Sequence, residues 1–255
     1  KLDPLQATKA GLLTALHDTQ SPTLLFTASH GVEYEATDPH QRDLQGALLC
    51  QDWQGDRKSI PVEHLVAAQD INTKVNLSGS IAFLFACYSA GTPQFDSFYR
   101  MEFKTQGTAI TKKPFVAALP QRMLRLQHRG ALAVVGHVER VWGSSFLAMG
   151  NTSLSGDRAQ HVKQSAVFES ALDQLLMGYP IGSAMDYLNI RYAALSTELT
   201  NLYHEIGDAP STLQAYELAE LWTANNDARG YIILGDPAVR LGSQPLSIAQ
   251  PSPNA

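Results

Sequence analysis

The chain is poor in cysteine, in clustered basic residues and in long apolar runs, and each shortage removes a class of protein. Two cysteines, Cys50 and Cys87, stand among 255 residues. A disulfide-stapled secreted domain is shorter and carries more, so both read as free thiols, which favours a reducing, cytoplasmic compartment. No apolar run approaches the roughly 18 residues of a spanning helix, so no membrane partner is expected. Charged residues make up 17% of the chain and its net charge is −5. With no basic stripe visible, a nucleic-acid partner is not expected either. His128, His137 and His161 lack a ligand spacing such as HExxH, so no metal site is expected. No internal repeat is present. The one biased stretch is a Pro/Ser/Gln-rich tail at 243–255, read as extended or disordered. The chain opens on Lys1 without a signal-peptide pattern, which reads as a segment of a longer precursor.

What is present is an ordinary globular composition, 44% hydrophobic, sufficient for one sizeable domain over 1–242. Apolar residues at helical spacing predict helices over 5–17, 164–177 and 185–202. Ser59 near the start and Pro61 in the first turn predict one over 59–69, and 120–128 and 213–224 also read as helices. Short apolar runs without alternation predict buried strands at 23–28, 81–86, 131–136 and 231–234. Residues 33–56 are polar and turn-rich and read as a surface excursion carrying Cys50; 143–156 read as a small-residue loop. Unalternating strands separated by helices imply an α/β fold: a mostly parallel β-sheet with helices on both faces. Such sheets place their sites at the carboxyl ends of the strands.

Two strand ends carry reactive side chains. Cys87 follows IAFLFA and precedes Tyr88-Ser89-Ala90-Gly91, a stretch suited to a tight turn. A thiolate there would be a nucleophile if a base or a dipole activates it. The bland alternative is an inert buried cysteine, the common fate of a free thiol. His30 ends TLLFTAS and is followed by Gly31. A neutral imidazole can accept the thiol proton and return it to a leaving amine. Gly31 lets a backbone N–H approach a substrate carbonyl unobstructed. If the two strands are neighbours, the pair suits acyl transfer, with the N–H groups of Gly31 and Cys87 as oxyanion donors.

LLFTASHG (24–31) and IAFLFACYSAG (81–91) resemble the His-Gly and Ala-Cys signature of caspase-like (clan CD) cysteine peptidases. The ending YIILGDPAVRL (231–241) resembles the close of the gingipain-like branch and of related CHAT-type domains. GALAVVGHVERVWG (130–143) is similar to the segment walling the gingipain specificity pocket. The resemblance implies a caspase-like fold and endopeptidase action on polypeptides by a Cys87–His30 dyad through a thioester. It also implies Gly31 at the oxyanion, Trp142 as pocket aromatic with Arg140 and Val141 beside it, and a basic (Arg or Lys) P1 residue. Some relatives need calcium or proteolytic cutting; no calcium loop is seen, and no cofactor is expected. The strand that opens the sheet in that family has no counterpart ahead of residue 23, so another segment of the precursor is a candidate partner.

Two rivals stand beside this reading. One is a non-catalytic caspase-like scaffold or binding module; the other is an amidase or esterase on the same fold. Glu33, Asp38, Asp43, Asp96 and Glu139 are the acids available to a basic P1 residue, though each reads more simply as a solvated surface group. Lys112-Lys113 reads as a solvated basic pair, and Asp236 in Gly-Asp-Pro as a turn former.

Overall fold

The computed structural model describes residues 6–17, 24–55, 60–98, 108–143, 147–149, 161–163, 165–207 and 210–242. The elements run α1 (Lys9–His17), β1 (Leu24–Ala28), α2 (Gln41–Leu44), β2 (Leu48–Leu49), β3 (Leu65–Val66), β4 (Ile81–Phe85), β5 (Gly91–Thr92), β6 (Phe115–Val116) and α3 (Ala118–Leu124). They continue with β7 (Ala133–His137), β8 (Leu147–Met149), β9 (His161–Lys163), α4 (Ala166–Leu176), α5 (Ile181–Ile206), α6 (Thr212–Ala228) and β10 (Tyr231–Gly235). The central sheet has the order β1-β4-β7-β10. β1, β4 and β7 are parallel, and β10 runs antiparallel to β7 with Tyr231 opposite His137. The chain is thus mixed α/β with a mostly parallel four-stranded sheet.

Alternation on β4 shows why its sequence looks continuously apolar. Ala82, Leu84 and Ala86 pack with Leu16 of α1 and Met123 of α3 on one face. Ile81 and Phe83 pack with Phe168 and Leu175 of α4 and with Met185 and Leu188 of α5 on the other. Both faces are covered, so neither set of side chains can be polar. Phe83 is the centre of the second layer, with ring centroids 5.4 Å from Phe26, 6.0 Å from Phe168 and 6.1 Å from Tyr231. α5 buries side chains only between Ile181 and Arg191. α6 opens on a capping box in which Ser211 and Gln214 each accept the other's backbone N–H.

Two expectations fail. The helix expected over 59–69 is instead two short turns, Val62–His64 and Ala68–Asp70, flanking β3. Leu65, Val66 and Ala67 are all buried. Three successive buried residues cannot share one helix face, and Leu65 and Val66 pair with Leu49 and Leu48. The second failure is the surface excursion at 33–56. Gln41, Leu44, Gln45, Ala47, Leu48 and Cys50 are buried there. The glutamines act as internal ties: the Gln41 amide donates to the carbonyls of Tyr34 and Ile110, and Gln45 Oε1 accepts the Tyr34 N–H. Polarity in this stretch marks cross-linking of a folded loop. Of the expected loop at 143–156, residues 147–149 pair as a strand with 161–163; 144–146 and 150–156 lie outside the described residues, as does the tail at 243–255.

Candidate active site

β1 and β4 are neighbours, aligned so that Ala28 stands opposite Phe85. The ladder runs one step further, Ser29 donating its N–H to the Phe85 carbonyl at 3.0 Å. His30 and Cys87 therefore each lie two residues beyond one aligned pair, at the carboxyl end of adjacent parallel strands.

The turn after Cys87 is held by glycines from three other segments. A Cβ on Gly31 would fall 1.9 Å from the Cys87 carbonyl oxygen, and one on Gly46 2.2 Å from that of Tyr88. One on Gly136 would meet the Ala90 nitrogen at 2.9 Å. Tyr88 itself has φ of +57°, a left-handed conformation costly for a residue with a bulky side chain. Its ring is fully buried and its hydroxyl donates to Glu33 Oε1 at 3.0 Å. Burial, reinforced by the Glu33 carboxylate, pushes the phenol well above its usual range.

The 137–142 segment closes on the same turn. Tyr88 N–H donates to the Glu139 carbonyl at 2.6 Å, Ala90 N–H to that of His137 at 3.0 Å, and Glu139 N–H to that of Gly91 at 3.1 Å. Val141 N–H donates to Cys87 Sγ at 3.4 Å, and the thiol faces the Val141 carbonyl oxygen at 3.7 Å. Cys87 is half-buried, and burial pushes its thiol up. Hydrogen bonds from the Val141 and Gly31 backbones pull the other way, Glu33 raises it further and Arg140 lowers it. Burial is the largest of these influences and disfavours the thiolate. The His30 ring is exposed and makes no hydrogen bond among the described residues, while its carbonyl accepts the Leu49 N–H. The N–H groups of Gly31 and Cys87 donate to no backbone carbonyl among the described residues; that of Gly31 faces the sulfur.

The flanking residues divide sharply. Arg140 pairs with Asp96 and lies over the Phe98 ring at 5.9 Å. Trp142 is 41% exposed, with its indole 5.5 Å from Phe98. Two of the acids expected to be solvated are not: Asp96 and Glu139 are 8% and 4% exposed. Burial raises the Glu139 carboxyl to about 7; the Ser97 N–H on Oε1 at 2.8 Å opposes this, and Asp96 reinforces it. Glu33 is exposed and lines an open cleft with Tyr34, Glu35, Ala36, Thr37, Ala109 and Ile110.

His137 is fully buried between the Asp227 carbonyl at 2.8 Å and the Glu139 carbonyl at 3.1 Å, edge-on to Tyr231. Among the described residues no group of three His, Cys, Asp or Glu side chains could hold a metal ion. Cys50 sits in the core beside Leu48, its thiol pushed up to about 11 by burial. Both cysteines are free. Asp236 caps its own turn, Oδ1 accepting the Ala238 N–H at 2.8 Å.

Sequence reading missed Gly46, Gly136 and Asp227. Gly136 had a signal, since an isolated glycine in a strand marks close backbone approach. Asp227 had none, because only tertiary packing buries it.

No family model matches the chain, and no match was found among the curated proteins or the solved structures. Among the described residues no helix is long and apolar enough to cross a membrane.

Proposed function

We propose that the chain is a caspase-like cysteine endopeptidase in which Cys87 and His30 form the dyad. The observation that carries this reading is the common register of β1 and β4, which sets both residues past the same aligned pair at one end of the sheet. Cys87 Sγ attacks the scissile carbonyl while its proton passes to His30. The oxyanion is received by the N–H groups of Gly31 and Cys87. His30 then protonates the leaving amine, and water hydrolyses the thioester. Because burial disfavours a standing thiolate, proton transfer to His30 accompanies attack. Val141 and Trp142 wall the substrate, with Arg140 behind them.

A basic P1 side chain would have few carboxylates to meet. Asp96 is neutralised by Arg140 and burial pushes Glu139 up to about 7, which leaves Glu33, Asp38 and Asp43 of the five acids.

The test is digestion of a peptide library with mass-spectrometric readout. Cleavage after Arg or Lys, abolished in Cys87→Ala and in His30→Ala, is expected. Cleavage of esters or small amides alone would move the assignment to another hydrolase class. A second reading, a non-catalytic module, is favoured by the upward shift of the Cys87 thiol. It predicts no cleavage and an alkylation rate at Cys87 indifferent to His30.

A further inference from the structure

One fully buried carboxylate reaches the sulfur through a single peptide group. Asp227 closes α6, just ahead of β10, and is 0% exposed. Its Oδ1 accepts the Trp142 N–H at 2.8 Å. That N–H belongs to the same planar trans peptide as the Val141 carbonyl, so the two point in opposite directions from one rigid plate. The other end of the plate is the oxygen 3.7 Å from Cys87 Sγ. Asp227 is itself fixed by His137, whose Nε2 lies 2.8 Å from its carbonyl oxygen and 3.7 Å from Oδ1, and by the charge of buried Arg191.

We propose that Asp227 is a positioning residue for Cys87: by gripping the Trp142 N–H it holds the Val141 carbonyl against the sulfur. A carbonyl dipole aimed at sulfur accepts from S–H and opposes the thiolate, whereas the Val141 N–H, on the neighbouring 140–141 peptide, donates to the sulfur and favours it; turning the 141–142 peptide away removes the opposing dipole. The indole of Trp142 hangs from the same peptide and is 41% exposed, so an occupant pressing on it moves that carbonyl. The inference rests on Cys87 as the reactive thiol and not on peptide cleavage.

The test is the pH profile of iodoacetamide alkylation at Cys87, read by peptide mapping. Asp227→Asn keeps an oxygen acceptor and should retain the wild-type profile. Asp227→Leu removes it and should shift the profile to lower pH, with five- to tenfold faster alkylation at pH 7. Because Asp227→Leu removes a buried carboxylate whose charge acts on Arg191 and risks misfolding, a second pair leaves Asp227 intact. Trp142→Pro deletes the N–H, Trp142→Ala retains it, and the proline variant should react faster by the same factor. Glu33 and Arg140, the charged groups acting on the sulfur, are untouched in all four. Superimposable or slower profiles in Trp142→Pro overturn the inference while leaving the dyad standing. A shifted profile in a protein that cleaves no peptide supports the inference and removes the endopeptidase. A Cys87 inert up to pH 10 overturns both.

Discussion

Glu139→Gln isolates one buried proton. The carboxyl is 4% exposed, accepts the Ser97 N–H and lies against Asp96, and it is pushed up to about 7 from its ordinary 4.5. Between those two values the folded chain binds a proton that the unfolded chain has released, so this group's contribution to stability falls as pH rises from about 4.5 to 7 and is gone above. At about 1.4 kcal/mol per pH unit, the amount lost is up to about 3 kcal/mol. Solvent screening takes little from this, because the side chain is buried. Glutamine keeps an oxygen for Ser97 and an N–H donor for Asp96, and it never titrates. Thermal unfolding of both proteins from pH 4 to 8 is the assay. The curves should meet near pH 4 and separate through neutrality, with the glutamine variant more stable by roughly 5–10 °C at pH 8 for a domain of this size. Parallel curves, or a wild type that gains on the variant with rising pH, would refute the buried proton.

His30→Ala removes an exposed ring with no hydrogen bond among the described residues. Urea unfolding should move by less than about 0.5 kcal/mol, while peptide cleavage disappears. Gly31→Ala forces a methyl to within 1.9 Å of the Cys87 carbonyl oxygen. The turn must shift, so Cys87 alkylation kinetics should change even where circular dichroism does not. Phe83→Ala empties the centre of the second core layer and should cost about 3–5 kcal/mol in denaturant unfolding; a loss under 1 kcal/mol would mean that the layer collapses onto the space.

Much of the scaffold is visible in the residues because the two inner strands, β4 and β7, are buried on both faces, while β1 and β10 at the edges are only partly covered. IAFLFA and ALAVVG are apolar at every position, and each lies in the interior of the sheet. The helices of the second layer follow for the same reason: Phe168, Leu175, Met185 and Leu188 repeat with the helix and share one core layer with Phe83. The short elements are illegible. Leu65 and Val66 extend because Leu48 and Leu49 pair with them, a partner sixteen or more residues away that no local pattern announces. At the site, His30 and Cys87 show themselves by punctuation, each closing an apolar run. The groups that hold them do not. Asp96, Glu139 and Asp227 look like surface acids until the fold buries them, and Gln41 and Gln45 look like loop residues until their amides find carbonyl and N–H partners.

The reversed polarity of β10 decides which chain ends can converse. Were the final strand to run with its neighbours, the junction that carries Asp227 would emerge at the far rim, about 17 Å away for five residues of strand. Running it backwards docks Tyr231 beside His137 and brings the end of α6 to the rim where β1 and β4 finish. A single inversion thus wires a helix terminus into the neighbourhood of the sulfur.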